Sequence, residues 1–320
     1  MAHLIESMAY VNDTPWHGLG NQLIAGQPLE VWAQQAGMDW QIKETPVRFM
    51  AESAGSLGAI MSFPENKVLF RSDNNSPLSV VSQRYQVVQP SEILEFYRDL
   101  TEVSGFELET AGVLKGGRKL WALARTDQSA TLKGNDRVNG YLLLATACDG
   151  TLATTAQFTS IRVVCNNTLA VALANGSGAV KVPHSTSFDP QVVKARLGIS
   201  VSTWDSFMYS MKLLSERKVK STEAFNYFMQ VFTTAQTKSP TGLTNERAMT
   251  KAMSLYEGRG KGADLASSKG TAFGLLNSIT EFVDHERRAM SVDHRLDSAW
   301  FGQGATLKQK ALDQALLMLV

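Results

Sequence analysis

Near Pro190 the chain changes the period of its apolar residues, and that change decides what it can fold into. Upstream, short apolar runs alternate with polar residues and are punctuated by turn-forming residues, as strands are. Downstream, apolar positions recur at helical spacing through 190–214, 222–234, 244–257, 270–290 and 305–319. Strands first and helices afterwards predict an α+β protein rather than a doubly wound sheet. The expected architecture is an antiparallel, hairpin-rich sheet with packed helices, followed by a helical C-terminal region. Three regions follow: an irregular N-terminal arm over 1–26, an α+β domain with basic hairpins over 27–189, and the helical region over 190–320. No repeat of fixed period is present, so a solenoid is excluded.

Local signals fill in the middle region. Pro28 opens a short helix that Gly37 closes, and Pro90 opens a longer one over 90–104 that Gly105 closes. Strands are expected at 40–50, 57–63, 67–71 and 78–88. Residues 106–114 and 118–126 flank a Gly-Gly turn at Gly116-Gly117. Residues 138–148 and 151–164 flank Asp149-Gly150, a strong signal for a tight hairpin. Asn167 is placed to cap a helix starting at Leu169 and ending in Asn175-Gly176-Ser177-Gly178. The segment Glu257-Gly258-Arg259-Gly260-Lys261-Gly262 reads as a flexible basic loop.

Composition narrows the class. The chain is 44% hydrophobic and 19% charged, enough apolar content for a core. Its longest apolar runs, such as Tyr141–Ala145, are too short to span a bilayer, and no signal peptide is visible. Two cysteines, Cys148 and Cys165, sit among apolar residues, as buried thiols do in reducing compartments. These readings predict a cytoplasmic protein with no membrane partner. The net charge is +1 but unevenly spread. Residues 1–109 hold 6 Lys/Arg against 14 Asp/Glu, and residues 110–196 hold 10 against 4. That asymmetry fits either a scattered solvated surface or acidic and basic faces that meet between subunits.

Motifs for chemistry are missing. Gly258-Arg259-Gly260-Lys261-Gly262 lacks the spacing and the Ser/Thr of a phosphate-binding loop. Asp284, His285 and Glu286 point in different directions on a helix, so with Asp293 and His294 they make a poor metal site. No G-x-S-x-G occurs, and Cys165 ends an apolar strand. The expectation is a protein without catalytic residues, metal or cofactor.

What remains is a basic, aromatic decoration of the middle sheet. Lys115, Arg118 and Lys119 crowd one hairpin, Arg125 lies on its second strand, and Trp121 and Tyr141 are aromatic neighbours. Cations that neutralise phosphates, beside rings on which bases stack, are what single-stranded nucleic acid binding requires. An ordinary solvated hairpin with a core tryptophan is the alternative. Arg162, leaving an apolar strand, has two readings: an anion-binding residue, or half of a buried ion pair.

The string Ile161-Arg162-Val163-Val164-Cys165-Asn166-Asn167-Thr168-Leu169 resembles the signature of phage- and plasmid-like proteins classed as domain of unknown function 932. Pro15–Gly20, Gly270–His285 and Ala299–Gly302 are similar to further motifs of that family, in the same order. The resemblance implies a mobile-element protein and transfers no activity. In architecture the chain more distantly resembles the single-strand annealing proteins of phage recombination, which form rings or filaments. The resulting expectation is a non-enzymatic protein that binds single-stranded DNA in recombination or replication. It would act as a homo-oligomer, ring or filament, with Lys115, Arg118, Lys119, Arg125 and Arg162 on phosphates and Trp121 or Tyr141 stacking bases. The alternative is an interaction protein that blocks a host defence or restriction factor.

Overall fold

A computed structural model of the chain describes residues 7–12, 15, 20–53, 56–164, 167–170, 179–197, 201–233 and 246–320. In chain order the strands are β1 (Ser7–Val11), β2 (Asn21–Leu23), β3 (Ile42–Ser53), β4 (Ser56–Arg71), β5 (Pro77–Ser82), β6 (Glu107–Leu114), β7 (Lys119–Leu132), β8 (Asp136–Ala147), β9 (Thr154–Arg162), β10 (Asn167–Ala170) and β11 (Ala179–Val182). The helices are α1 (Leu29–Gln35), α2 (Pro90–Ser104), α3 (Pro190–Leu197), α4 (Val201–Glu216), α5 (Ser221–Phe232), α6 (Glu246–Ser254), α7 (Ala272–Glu281), α8 (Val292–Phe301) and α9 (Gln303–Leu317). The fold is α+β. Among the described residues the strands all precede Pro190, and beyond it only an isolated bridge, Lys218 with Thr271, has strand character.

The chain forms two compact units: Met1–Arg125 with Leu142–Gln157 and Ala179–Gly198, and Thr126–Tyr141 with Phe158–Gly178 and Ile199–Val320. In the first unit β1 lies between β2 and β6, parallel to β2 and antiparallel to β6, and β6 continues antiparallel into β7. Helix α2 starts at Pro90 as expected. Glu92 accepts the Gln89 backbone N–H at 2.6 Å, and Gly105 takes a left-handed φ of 67° to end it. The Tyr97 hydroxyl donates to the carbonyls of Ala122 (2.8 Å) and Leu142 (3.0 Å), so the helix is fixed to the sheet by a buried polar contact as well as by packing.

A second sheet of the same unit, ordered β3-β4-β5, behaves differently along its length. Near its base, Ile42, Leu69, Leu78 and Val81 are buried. The register then shifts between Pro46 and Val47, opposite Pro64 to Asn66. Proline donates no ladder bond and bulges bend a strand, so this is where a hairpin leaves its sheet. Strand β5 pairs only with the base of β4, at 66–70. Beyond the bulge, 47–53 and 56–63 pair only with each other among the described residues.

The second unit is largely helical. Helix α7 runs through its centre and packs against α4, α9 and β10. Phe228, Ala252, Leu275, Leu276, Ile279, Leu312 and Ala315 form the core. Side-chain caps start α7 and α8: Thr271 accepts from Gly274 N at 3.1 Å, and Ser291 accepts from His294 N at 3.2 Å.

Several expectations require correction. The arm over 1–26 is not wholly irregular, because residues 8–11 are buried as β1. Residues 16–19 of its motif lie outside the described residues. The expected strands 57–63 and 67–71 are one bulged strand, and the strand expected to reach 88 stops at Ser82. Leu169 starts no helix. It sits in β10, opposite Ser160, and its carbonyl accepts from the hydroxyls of Thr159 (3.0 Å) and Ser160 (3.2 Å). A pairing partner in β9 thus overrides the capping signal, and the stretch 171–178 is outside the described residues. Gly150 does take a positive φ of 76°, but the connection spans residues 148–153, not two. Asp149 Oδ1 shapes it by accepting from Thr151 N (3.0 Å) and Thr151 Oγ1 (2.6 Å). The segment 257–262 is also anchored: Gly260 N donates to Leu255 O at 3.0 Å, and Lys261 N donates to both oxygens of Glu281 at 3.0 and 3.1 Å.

Candidate functional site

The basic hairpin expected to hold phosphates is built, but most of its residues are not available to a ligand. The turn 115–118 joins β6 to β7 through three residues of positive φ, Lys115, Gly116 and Gly117. Gly117 is required there. A Cβ on it would meet the Trp40 ring and Leu78 at 3.1 Å. Arg118 is exposed and Lys115 half-buried, whereas Lys119 is buried. Trp121 is 0% exposed and Tyr141 4%, so neither ring can stack a base in this structure. Arg125 bonds Glu107 at 2.6 Å and lies 3.9 Å from Glu109. Of that set Arg118 is exposed and Lys115 half-buried, and these two lie nearest to solvent in the turn.

Arg162 resolves to the second of its two readings. Its Nε donates to both Asp136 oxygens at 2.8 and 2.9 Å, and Nη2 lies 2.7 Å from Asp136 Oδ2. Nη2 also donates to Ser268 Oγ (2.9 Å) and Gly262 O (3.1 Å). Ser267 Oγ donates to Asp136 at 2.6 Å, and the Phe273 ring lies 5.5 Å from the guanidinium. Both charges are buried, so the pair is a structural tie between β8, β9 and the loop before α7. A second tie stands nearby: Lys308 donates to Asp284 (2.9 Å) and to Thr168 (2.7 Å), and Asp284 accepts from Thr168 N (2.8 Å). Asp284 thus turns inward to Lys308 while Glu286 pairs with Lys251 at 3.0 Å. Among the described residues no group of His, Cys, Asp and Glu is placed to hold a metal ion. No helix among them is long and apolar enough to cross a membrane.

Cys148 is buried, its Sγ 3.6 Å from the carbonyls of Gly117 and Arg118, and burial pushes its thiol up to about 12. It is a protonated, packed thiol at neutral pH and no nucleophile. Cys165 lies outside the described residues.

The feature that the sequence reading missed is the outer half of the β3–β4 hairpin. Phe49 is 50% exposed, Met50 68%, Ile60 69%, Met61 48% and Phe63 42%. The register puts Val47, Phe49 and Ala51 across from Phe63, Met61 and Ala59 on one face, and Met50 across from Ile60 on the other. A two-stranded ribbon in water is marginal on its own. This one carries large apolar side chains on both faces, open to water. In sequence these residues look like core strands. The signal that separates them is the pair Pro46 and Pro64, which breaks the ladder at the base of the arm.

A family model described as "Domain of unknown function (DUF932)" matches residues 77–300. No curated protein and no solved structure matches the chain.

Proposed function

Starting from a chain that belongs to the DUF932 family, whose description assigns no activity, we propose a non-enzymatic binding protein that works by assembling with copies of itself through the β3–β4 arm. The single observation behind this reading is the apolar, two-faced outer hairpin with a free edge along β3 among the described residues. Its five large side chains leave roughly 500 Å² open to water, divided between the two faces of the ribbon. A stable interface needs about 800 Å² per partner, of which the arm's apolar side chains would supply a large share. A second copy is the occupant favoured by the arm's backbone. Edge strands add to one another without needing a matched sequence, and in a two-fold contact one patch meets itself.

A second reading concerns what the assembly carries. Single-stranded DNA is favoured by the basic turn 115–118 of each copy, where Arg118 is exposed beside the half-buried Lys115. Repeated around a ring or along a filament, they would form a basic track. In the other reading the same arm meets a host defence factor.

Analytical ultracentrifugation with labelled single-stranded oligonucleotide across a salt series tests these readings together. The wild-type chain is expected to sediment as an oligomer at micromolar concentration. Phe49→Glu/Ile60→Glu should give a monomer with unchanged circular dichroism. A wild-type monomer at every concentration would sink self-assembly. An oligomer that leaves the oligonucleotide free at low salt would remove DNA and keep assembly.

A further inference from the structure

The second unit holds a cavity that neither the arm nor the buried ion pairs account for. It lies between the turn that ends α7 and the first half of α8, and it has a volume of about 590 Å³. Pockets of that size take ligands of nucleotide dimensions. Its lining is strongly one-signed: Arg287, Arg288, His294 and Arg295 converge on it, and no acidic residue lines it. Met290 and Val283 supply an apolar wall.

Among the described residues none of the three guanidiniums pairs with a carboxylate. Arg287 donates to Ser298 Oγ (3.1 Å) and Gln303 Oε1 (2.9 Å), and Arg295 Nη1 donates to His285 O (2.9 Å). All of these acceptors are uncharged. Arg288 is exposed and forms no ion pair among the described residues. Arg295 Nε is buried and finds no acceptor among them. Leaving a buried charged donor unused is expensive, and an incoming oxyanion is what would satisfy it. The uncharged bonds matter for another reason. They hold two of the forks in place without consuming their charge, so little ordering is left to do when an anion arrives.

The geometry points to a phosphate site, and we propose that the cavity binds a phosphate monoester of nucleotide size. Three cations, two of them held in place, suit a dianion better than a singly charged carboxylate. Guanidinium forks match the tetrahedral oxygens in bidentate fashion. The apolar wall at Met290 and Val283 would cover the organic part of the ligand. The α8 N-terminus contributes little, because Ser291 already caps it by accepting from His294 N at 3.2 Å. The inference concerns a small-molecule site within one unit and does not depend on self-assembly or on the basic turn at 115–118.

Isothermal titration calorimetry of the full chain at low salt tests it, with inorganic phosphate, adenosine monophosphate and adenosine as probes. Saturable, one-to-one binding of the monophosphate is expected, with adenosine failing to bind. Arg288→Met, at an exposed position that should leave the fold intact, is expected to weaken the monophosphate about tenfold, the loss of one charge-assisted pair. Arg295→Met should weaken it at least as much. Inorganic phosphate binding as tightly as the monophosphate would mean that the group alone is recognised. Tighter monophosphate binding would mean that the apolar wall is used. Either result supports a phosphate site. No saturable heat with either phosphate, or an affinity unmoved by Arg288→Met in a folded chain, overturns it. The same assay on Phe49→Glu/Ile60→Glu separates this site from assembly, since binding there should be unchanged.

Discussion

Replacing Arg162 by alanine should destabilise the second unit by about 3–5 kcal/mol, the cost of removing one partner of a buried ion pair. The size follows from what the structure leaves behind. Asp136 accepts from Arg162 at 2.7, 2.8 and 2.9 Å and from Ser267 at 2.6 Å. Without the guanidinium, a buried carboxylate keeps Ser267 as its one remaining donor in this network. Gly262 O and Ser268 also lose a donor, and the stem leaves a void against Phe273. The assay is urea unfolding followed by far-ultraviolet circular dichroism, where the helices of the second unit carry the signal. Asp136→Leu/Arg162→Met should recover most of the loss, ending within about 2 kcal/mol of wild type, because a buried pair replaced by apolar groups is close to neutral. With the singles Arg162→Met and Asp136→Leu completing the cycle, the coupling should be at least about 2 kcal/mol. Arg162→Ala within about 1 kcal/mol of wild type would refute the reasoning, since an exposed or weakly held pair gives values of that size.

Glu281 gives a pH test. Burial raises its carboxyl above the usual value, and the Lys261 N–H bonds offset this only in part. Its folded pKa is raised, so the folded state binds more protons than the unfolded state once pH exceeds about 4.5, the ordinary glutamate range. Stability must then fall as pH rises through that window. Glu281→Gln keeps the acceptor for Lys261 N and should flatten the fall, with a higher melting temperature at pH 7 and little change at pH 4. A lower melting temperature at pH 7 would count against the burial argument. Glycine substitutions test the two turns. Gly150 has φ 76° and open space around it, so Gly150→Ala should show only the backbone strain of about 1–2 kcal/mol. Gly117, at φ 99° under Trp40, adds a steric clash, so Gly117→Ala should be the more destabilising in the same urea series. The reverse order would mean that the Trp40 contact gives way freely.

The sequence made some of this legible because the signals were local. Pro90 and Gly105 bracket α2 within fifteen residues, and Pro190 opens α3 with Asp189 accepting from Gln191 N at 2.9 Å. The hairpin 114–119 and the positive φ at Gly150 follow from glycine itself. The misread residues depend on neighbours far along the chain. Lys119 to Ala124 are all buried, so β7 there is covered on both faces and shows no alternation from which an outward tryptophan could be read. Arg162 finds Asp136 twenty-six residues upstream and Ser268 more than a hundred downstream. Nothing in the local pattern chooses Asp136 over the other acids. The strands holding Phe49, Met50, Ile60, Met61 and Phe63 were legible, but their exposure was not. An apolar strand is read as core by default, although large apolar residues also lie outside.

These two groups of residues put charge and apolar surface in inverted places. Inside the second unit stand Arg162 with Asp136 and Lys308 with Asp284, buried pairs that apolar residues of the same volume could replace at little loss. Their value lies in selection. Arg162 fits only where a carboxylate of β8 meets a hydroxyl and a carbonyl of the loop before α7, and Lys308 only where Thr168 and Asp284 converge. Misregistered packings of β9 and β10 would strand a charge, so the pairs exclude them. Outside, in the first unit, the arm exposes phenylalanine, methionine and isoleucine that a monomer would gain by burying. The arm's apolar residues thus stay in water where the buried pairs of the second unit do not, and the proposed self-assembly is the contact that would cover them.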